Sequence, residues 1–275
     1  MNTAIGLLSP LAVAFVLAMA LHVFAKERAP RIALLPLAAG IFAGWFFIVR
    51  PGWVPVDDVR RVAHIAVGAS LLGLVLDAVR PHRIITAILV AVYLLGCAFA
   101  SVTGTVLPEG PIALSAAVLT GAWAVVAFLV LARFDAMRGR PLSLSVLLTL
   151  VAMGLAVLSA IGQDAPLAGL SLVLTAALAG ILIFVILTGT SITDGMVLIA
   201  GAPMLGIVWA LAQRHPDMRL ALLCLPLVLF AEATALRVPL PAARISAMLY
   251  PLILAALVSL PLGLAALIAF VTSVP

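Results

Sequence analysis

The feature that most constrains this chain is a series of long apolar stretches that repeats along its whole length. A helix needs about 20 apolar residues to cross the hydrocarbon of a bilayer. Backbone amides in lipid must be satisfied within their own segment, so each such stretch predicts a helix. Charges, Pro or Gly separate the stretches, which are Ala4–Ala25, Ile32–Val49, Val62–Val79, Ile84–Leu107, Ile112–Ala132, Leu142–Ile161, Leu167–Leu187, Met196–Ala212, Leu220–Leu236 and Ile245–Val271.

The predicted fold is therefore an all-α, polytopic transmembrane helix bundle of about ten helices, with a range of about nine to eleven. The last three stretches are the least regular, because proline or glycine interrupts each of them. Residues 1–275 form a single transmembrane domain, and no soluble domain is expected. Ten helices also divide into two halves of five that would be inverted relative to each other, as in many transporters. No shared motif links the halves, so this idea rests on helix number alone.

The composition indicates that lipid surrounds most of the chain. Hydrophobic residues make up 66% of the sequence and charged residues 9%, against about 45–50% and about 25% in soluble domains. The net charge of +5 comes from short loops rather than a basic run, so nucleic acid is not a predicted partner. The predicted partners are the lipid bilayer, a small solute and other membrane subunits.

The basic residues predict the orientation of the chain. With both termini outside, the inner loops hold ten of the 15 Lys and Arg residues and the outer loops hold five, as the positive-inside rule requires. Lys26, Arg28 and Arg31 follow the first apolar stretch instead of preceding it, so Ala4–Ala25 is expected to be a retained helix rather than a signal peptide. The predicted location is the cell inner membrane, with multiple passes.

Asp77 is the first candidate functional residue, because a charge near the bilayer centre costs about 2.5–3.5 kcal/mol. It shares a helix face with Ala66, Ser70 and Gly73, and these small residues predict close helix packing. Asp77 also lies three residues before Arg80. It therefore either points into the bundle or forms an Asp–Arg pair that anchors the helix end.

Three further residues complete the predicted transport or proton path. Glu232 has small neighbours and no cation three or four residues away, so it is expected to line a cavity or a proton path. Ser191 and Asp194 are interpreted as a capping box that opens the next helix, with an anion site at that helix N-terminus as the alternative. His22 is expected near the inner face. Under the predicted orientation, Asp77, Glu232, Asp194 and His22 all lie toward the inner leaflet.

The sequence predicts no cofactor, no metal and no catalytic residue. Only His22 and His64 lie within apolar stretches, and they fall on opposite sides, which does not suit a haem held by two histidines. Cys97 and Cys224 lie in apolar stretches and are typical of core residues. The sequence contains no HExxH, GxSxG, Walker or Asp-rich motif. Enzymatic activity is therefore disfavoured.

The leading functional prediction is a small-solute carrier or permease, with proton or cation coupling through Asp77 and Glu232. One alternative is a non-catalytic accessory or scaffold subunit of a larger membrane complex. Another is a lipid-modifying membrane enzyme, which would cluster acids and Arg around a headgroup. A polar cavity that reaches Glu232 would favour the carrier over the scaffold.

Overall fold

A computed structural model describes residues 3–24, 34–46, 57–103, 114–137, 139–190, 193–238 and 243–273. Every regular element in these ranges is helical, and ten helices result. They are α1 (Thr3–Phe24), α2 (Leu34–Gly44), α3 (Asp58–Val79), α4 (Arg83–Thr103), α5 (Leu114–Ala136), α6 (Pro141–Ile161), α7 (Ala165–Thr188), α8 (Asp194–Arg214), α9 (Pro216–Ala235) and α10 (Ala243–Ser273). The predicted all-α bundle of about ten helices is confirmed.

Eight of the described helices, α3 to α10, are long and apolar enough to cross a membrane. The described apolar parts of α1 and α2, Leu8–Phe24 and Leu34–Gly44, are shorter. Residues on both sides of α2 lie outside the described ranges. The chain therefore has the fold of a multi-pass membrane protein, while the position of its termini and the identity of its membrane stay predictions.

Helix α9 is the interrupted helix of the bundle. Two short 3₁₀ segments, Pro216–Met218 and Leu225–Phe230, alternate with two short α-helical segments along its length. Pro226 is the second residue of the second 3₁₀ segment, where its missing N–H and its ring disfavour a continuous α-helix. Helix α8 continues through Pro203, and α10 continues through its two prolines. Of the three late helices expected to be irregular, α9 is the one that changes helix type.

The helices alternate in direction, which gives the bundle two distinct ends. Asp77 near the end of α3 bonds the start of α8, and Asp58 at the start of α3 pairs with Arg214 at the end of α8. The end that contains Asp77 and Arg140 is called the Arg140 end, and the opposite end is called the Arg214 end. The predicted orientation places the Arg140 end at the inner face.

Helix packing follows a similar plan in the two halves of the chain. Helix α1 packs on α2 as α6 packs on α7, and α4 packs on α5 as α9 packs on α10. The pairs α2–α7 and α3–α8 join the halves. The halves differ where α1 packs on α7, α6 on α10 and α5 on α8, since the described residues show no comparable packing of α6 on α2, of α1 on α5 or of α3 on α10.

The predicted close packing at the Asp77 face is confirmed in the contact between α3 and α8. Ala66, Ser70 and Gly73 are all buried on this face. A Cβ atom added to Gly195 of α8 would lie 2.7 Å from the backbone oxygen of Gly73. The two backbones therefore touch, which brings the start of α8 within hydrogen-bonding distance of Asp77.

Candidate functional site

Asp77 holds the start of α8 at the Arg140 end. Its side chain is only 5% exposed and accepts hydrogen bonds from Thr193 Oγ1 at 2.6 Å and from the Gly195 amide at 3.0 Å. The first amides of a helix have no partner within the helix and carry partial positive charge, so a carboxylate is favourable there. Asp77 thus points into the bundle.

The predicted pair between Asp77 and Arg80 is not what the structure shows. Arg80 ends α3 in the left-handed conformation, with a φ of 49°, and its backbone N–H bonds to Leu76. Its side chain is exposed, and no ion pair joins it to Asp77 among the described residues. The bonds that Asp77 accepts from Thr193 and Gly195 come from the start of α8, which is distant in sequence.

Thr193, not Ser191, is the cap of α8. The Thr193 hydroxyl accepts the Met196 amide at 3.3 Å while it donates to Asp77. Asp194 is the first residue of the helix, and its side chain lies outside the described part of the chain, as does Ser191. The predicted capping is therefore displaced by two residues. The anion at this helix N-terminus is the carboxylate of Asp77.

Glu232 also has a partner from a distant part of the sequence. Its side chain is 6% exposed and accepts a hydrogen bond at 3.1 Å from Nη1 of Arg140. Arg140 lies between α5 and α6, 92 residues earlier. In the sequence, Arg140 is one of the basic residues that the predicted orientation places in the inner loops. No local spacing rule links it to Glu232.

A cavity of about 440 Å³ surrounds this ion pair at the Arg140 end. Arg133, Arg140 and Glu232 supply its charged groups, and Ala233 and Leu236 are among its apolar walls. Arg133 makes no hydrogen bond or ion pair in the described part of the chain. The cavity therefore has two guanidinium groups and one carboxylate, and only one of those guanidinium groups is paired.

A second cavity, of about 690 Å³, enters the bundle between α3, α4, α5 and α8. Arg83 and Gly139 lie at its mouth, and Phe128 and Leu131 line it further in. Ala136 follows Phe128 by eight positions, which corresponds to a depth of about 12 Å at 1.5 Å per residue. Both cavities include Ala136 and Gly139 in their walls, so they adjoin.

Ion pairs join three helices at the opposite, Arg214 end of the bundle. Arg214 donates to Asp164 at 2.8 Å and to Asp58 at 3.1 Å, and Arg61 donates to Asp58 at 3.0 Å. Asp164 caps the start of α7 and its side chain is 5% exposed. These groups join α3, α7 and α8. In the sequence, Asp58 and Asp164 lie outside the apolar stretches and are separated from Arg214 by 156 and 50 residues, so hydropathy alone does not indicate these pairs.

All four residues of the predicted transport path lie at the Arg140 end, but they do not form one cluster. Asp77 bonds the start of α8, where Asp194 also lies, while Glu232 bonds Arg140. His22 is exposed, and its ring meets the ring of Phe184 edge-on, with centroids 5.8 Å apart. Their role in transport stays a prediction.

A bundle of lipid-length helices, with its buried charges in ion pairs or caps and a cavity entered from one end, defines a polytopic helical membrane protein. Comparisons with protein-family models, with curated proteins and with solved structures find no match to this chain. The cavities and the ion pairs are the features from which its function can be argued.

Proposed function

We propose that the chain is a carrier that moves a small solute by exposing one cavity to the two ends of the bundle in turn. The observation that carries the proposal is the contrast between the two ends of α3 and α8. The cavity of about 690 Å³ opens between the joined pair α3–α8 and the pair α4–α5 at the Arg140 end, and Arg214 joins α3, α7 and α8 at the other end. An alternating-access carrier requires one open end and one closed end in each of its states.

The packing of the helices supports this proposal. Two five-helix halves with corresponding contacts are the architecture of carriers whose halves are inverted relative to each other. The contacts of α6 with α10 and of α5 with α8 have no counterpart of similar extent in the other half. We expect the opposite state to form when these two contacts loosen and the contacts of α1 with α5 and of α3 with α10 take their place.

Helices α4 and α5 are suited to be the moving part. They pack on each other, and they make fewer contacts with the rest of the bundle than the pairs α1–α2 and α9–α10 do. Their outer faces carry large exposed apolar side chains, including Ile84, Ile88, Val125 and Leu129. Such a hairpin can tilt in lipid without uncovering the core. The same faces would contact a partner in the accessory-subunit alternative, so an experiment has to distinguish the two.

Cysteine accessibility in proteoliposomes tests the proposal. Val62 on α3 is 2% exposed near the Arg214 end, and Val62→Cys would be introduced after replacing Cys97 and Cys224 with Ala. Arg214→Gln removes the centre of the ion-pair network. We expect an impermeant maleimide at the Arg214 side to label Val62→Cys about tenfold faster in this background, which corresponds to a loss of about 1.4 kcal/mol for the closed end.

The matched control is Arg219→Gln, which removes an exposed arginine at the same end. Among the described residues, its side chain bonds only the backbone oxygen of Ala212. It is expected to leave labelling unchanged. Thr86→Cys in the cavity should be labelled more slowly from the Arg140 side when Arg214→Gln is present. A scaffold with a single conformation predicts that Val62→Cys stays unlabelled and that Thr86→Cys labelling is unaffected, and this result would overturn the proposal.

A further inference from the structure

We propose that the cavity formed by Arg133, Arg140 and Glu232 binds the phosphate of a membrane lipid headgroup at the Arg140 end. This cavity is separate from the solute cavity, although the two share part of a wall. The proposal does not depend on transport, because a headgroup site can serve any protein of this fold.

The arrangement of the charged groups is that of a phosphate site. Among the described residues, Glu232 accepts a hydrogen bond only from Nη1 of Arg140. This bond orients the Arg140 side chain and leaves the other guanidinium nitrogens of Arg140 available. Arg133 is half-buried, has no partner in the described part of the chain, and lines the same cavity. Guanidinium groups match phosphate oxygens in a paired, fork-like geometry. Two arginines and one carboxylate leave one net positive charge, which balances a phosphodiester.

The surface next to the cavity favours a lipid over a free phosphate ion. Leu227 and Phe230 on α9 are exposed and lie three residues apart in a 3₁₀ segment, where side chains at this spacing eclipse each other. Ala233 and Leu236 continue this spacing and line the cavity. This strip runs from the middle of the helix toward Glu232. An acyl chain lying on the strip would bring its headgroup to Arg133 and Arg140. Basic pockets between transmembrane helices at the cytoplasmic side are where anionic headgroups bind.

Native mass spectrometry with added phosphatidylglycerol tests the site. The full chain is stripped of lipid in detergent and titrated, and the bound lipid is counted. Arg133→Gln removes no hydrogen bond or ion pair within the described part of the chain, and it is expected to weaken binding about tenfold, equivalent to about 1.4 kcal/mol. Arg237→Gln is the control, because it removes the same charge at the same end from an exposed position outside the cavity walls.

The outcomes separate the sources of phosphate. Diacylglycerol with the same chains is expected not to bind, and excess inorganic phosphate is expected not to displace phosphatidylglycerol. Displacement by inorganic phosphate would overturn the lipid proposal in favour of a free anion. Equal binding by the wild type and Arg133→Gln, or an equal loss in Arg237→Gln, would show non-specific lipid contact and would also overturn it. Neither result bears on the labelling of Val62→Cys, so the two proposals can fail independently.

Discussion

At the scale of single residues, Asp77 shows how a buried carboxylate is accommodated in this bundle. It accepts hydrogen bonds from the amide of Gly195 and from the hydroxyl of Thr193 at the start of α8. A helix N-terminus inside a bundle needs such a partner, because unsatisfied amides are costly where water is excluded. Asp77 therefore fixes the relative position of α3 and α8 at the Arg140 end.

The substitution Asp77→Ala is expected to destabilise the protein by about 1–3 kcal/mol, because it leaves a buried amide and a hydroxyl without their acceptor. The midpoint of thermal unfolding in one detergent measures the change. Ser70→Ala is the control, because the Ser70 hydroxyl is buried on the same face of α3 but bonds only its own helix at Ala66. Equal midpoints for Asp77→Ala and Ser70→Ala would contradict the role given to Asp77.

The sequence predicted which residues are unusual better than it predicted their partners. Asp77 and Glu232 could be recognised as acids within apolar stretches. Their partners are separated from them by 118 and 92 residues, while sequence rules for charge pairs reach only three or four residues along a helix. Asp164 was missed for a related reason. Its position before Ala165 and Pro166 indicates a helix cap, but nothing near it in the sequence indicates Arg214.

At the scale of helices, the lengths were predictable because the thickness of the hydrocarbon sets them. The stretch Leu142–Ile161 matches α6 almost residue for residue, and Leu167–Leu187 matches α7 equally well. The start of α3 was placed four residues late, at Val62 instead of Asp58. The reason is that charged residues in the first turn, which ion pairs hold here, resemble a loop when only hydropathy is considered.

The close contact between the backbones of α3 and α8 can be tested by a substitution. Gly195→Ala would place a Cβ atom 2.7 Å from the backbone oxygen of Gly73. We expect α3 and α8 to separate, with a loss of about 1–3 kcal/mol as in other overpacked cores. Gly263→Ala in α10 is the matched control, because no atom lies within 4 Å of its added Cβ, and it should be neutral or slightly stabilising. The unfolding midpoints of the two variants give the comparison, and a neutral Gly195→Ala would contradict the contact.

At the scale of the whole molecule, the sequence could not show which helices surround a cavity. The apolar stretches resemble one another in composition, and helix pairing in lipid depends on small residues and on distant polar contacts rather than on hydropathy. The correspondence between the halves appears in helix packing although no motif repeats. The ion pairs that join α3, α7 and α8 at the Arg214 end come from Arg214, Asp58 and Asp164, which lie in three separate parts of the sequence.

The most direct test of alternating access is the distance between spin labels at each end of the bundle, measured by double electron–electron resonance in nanodiscs. One pair replaces Ala78 and Gly139 at the Arg140 end, and the other replaces His64 and Ala165 at the Arg214 end, with the native cysteines removed. The carrier proposal predicts two distances at each end, with Arg214→Gln shifting the Arg140 end toward the shorter distance and the Arg214 end toward the longer. A single distance at both ends, unchanged by Arg214→Gln, would contradict it.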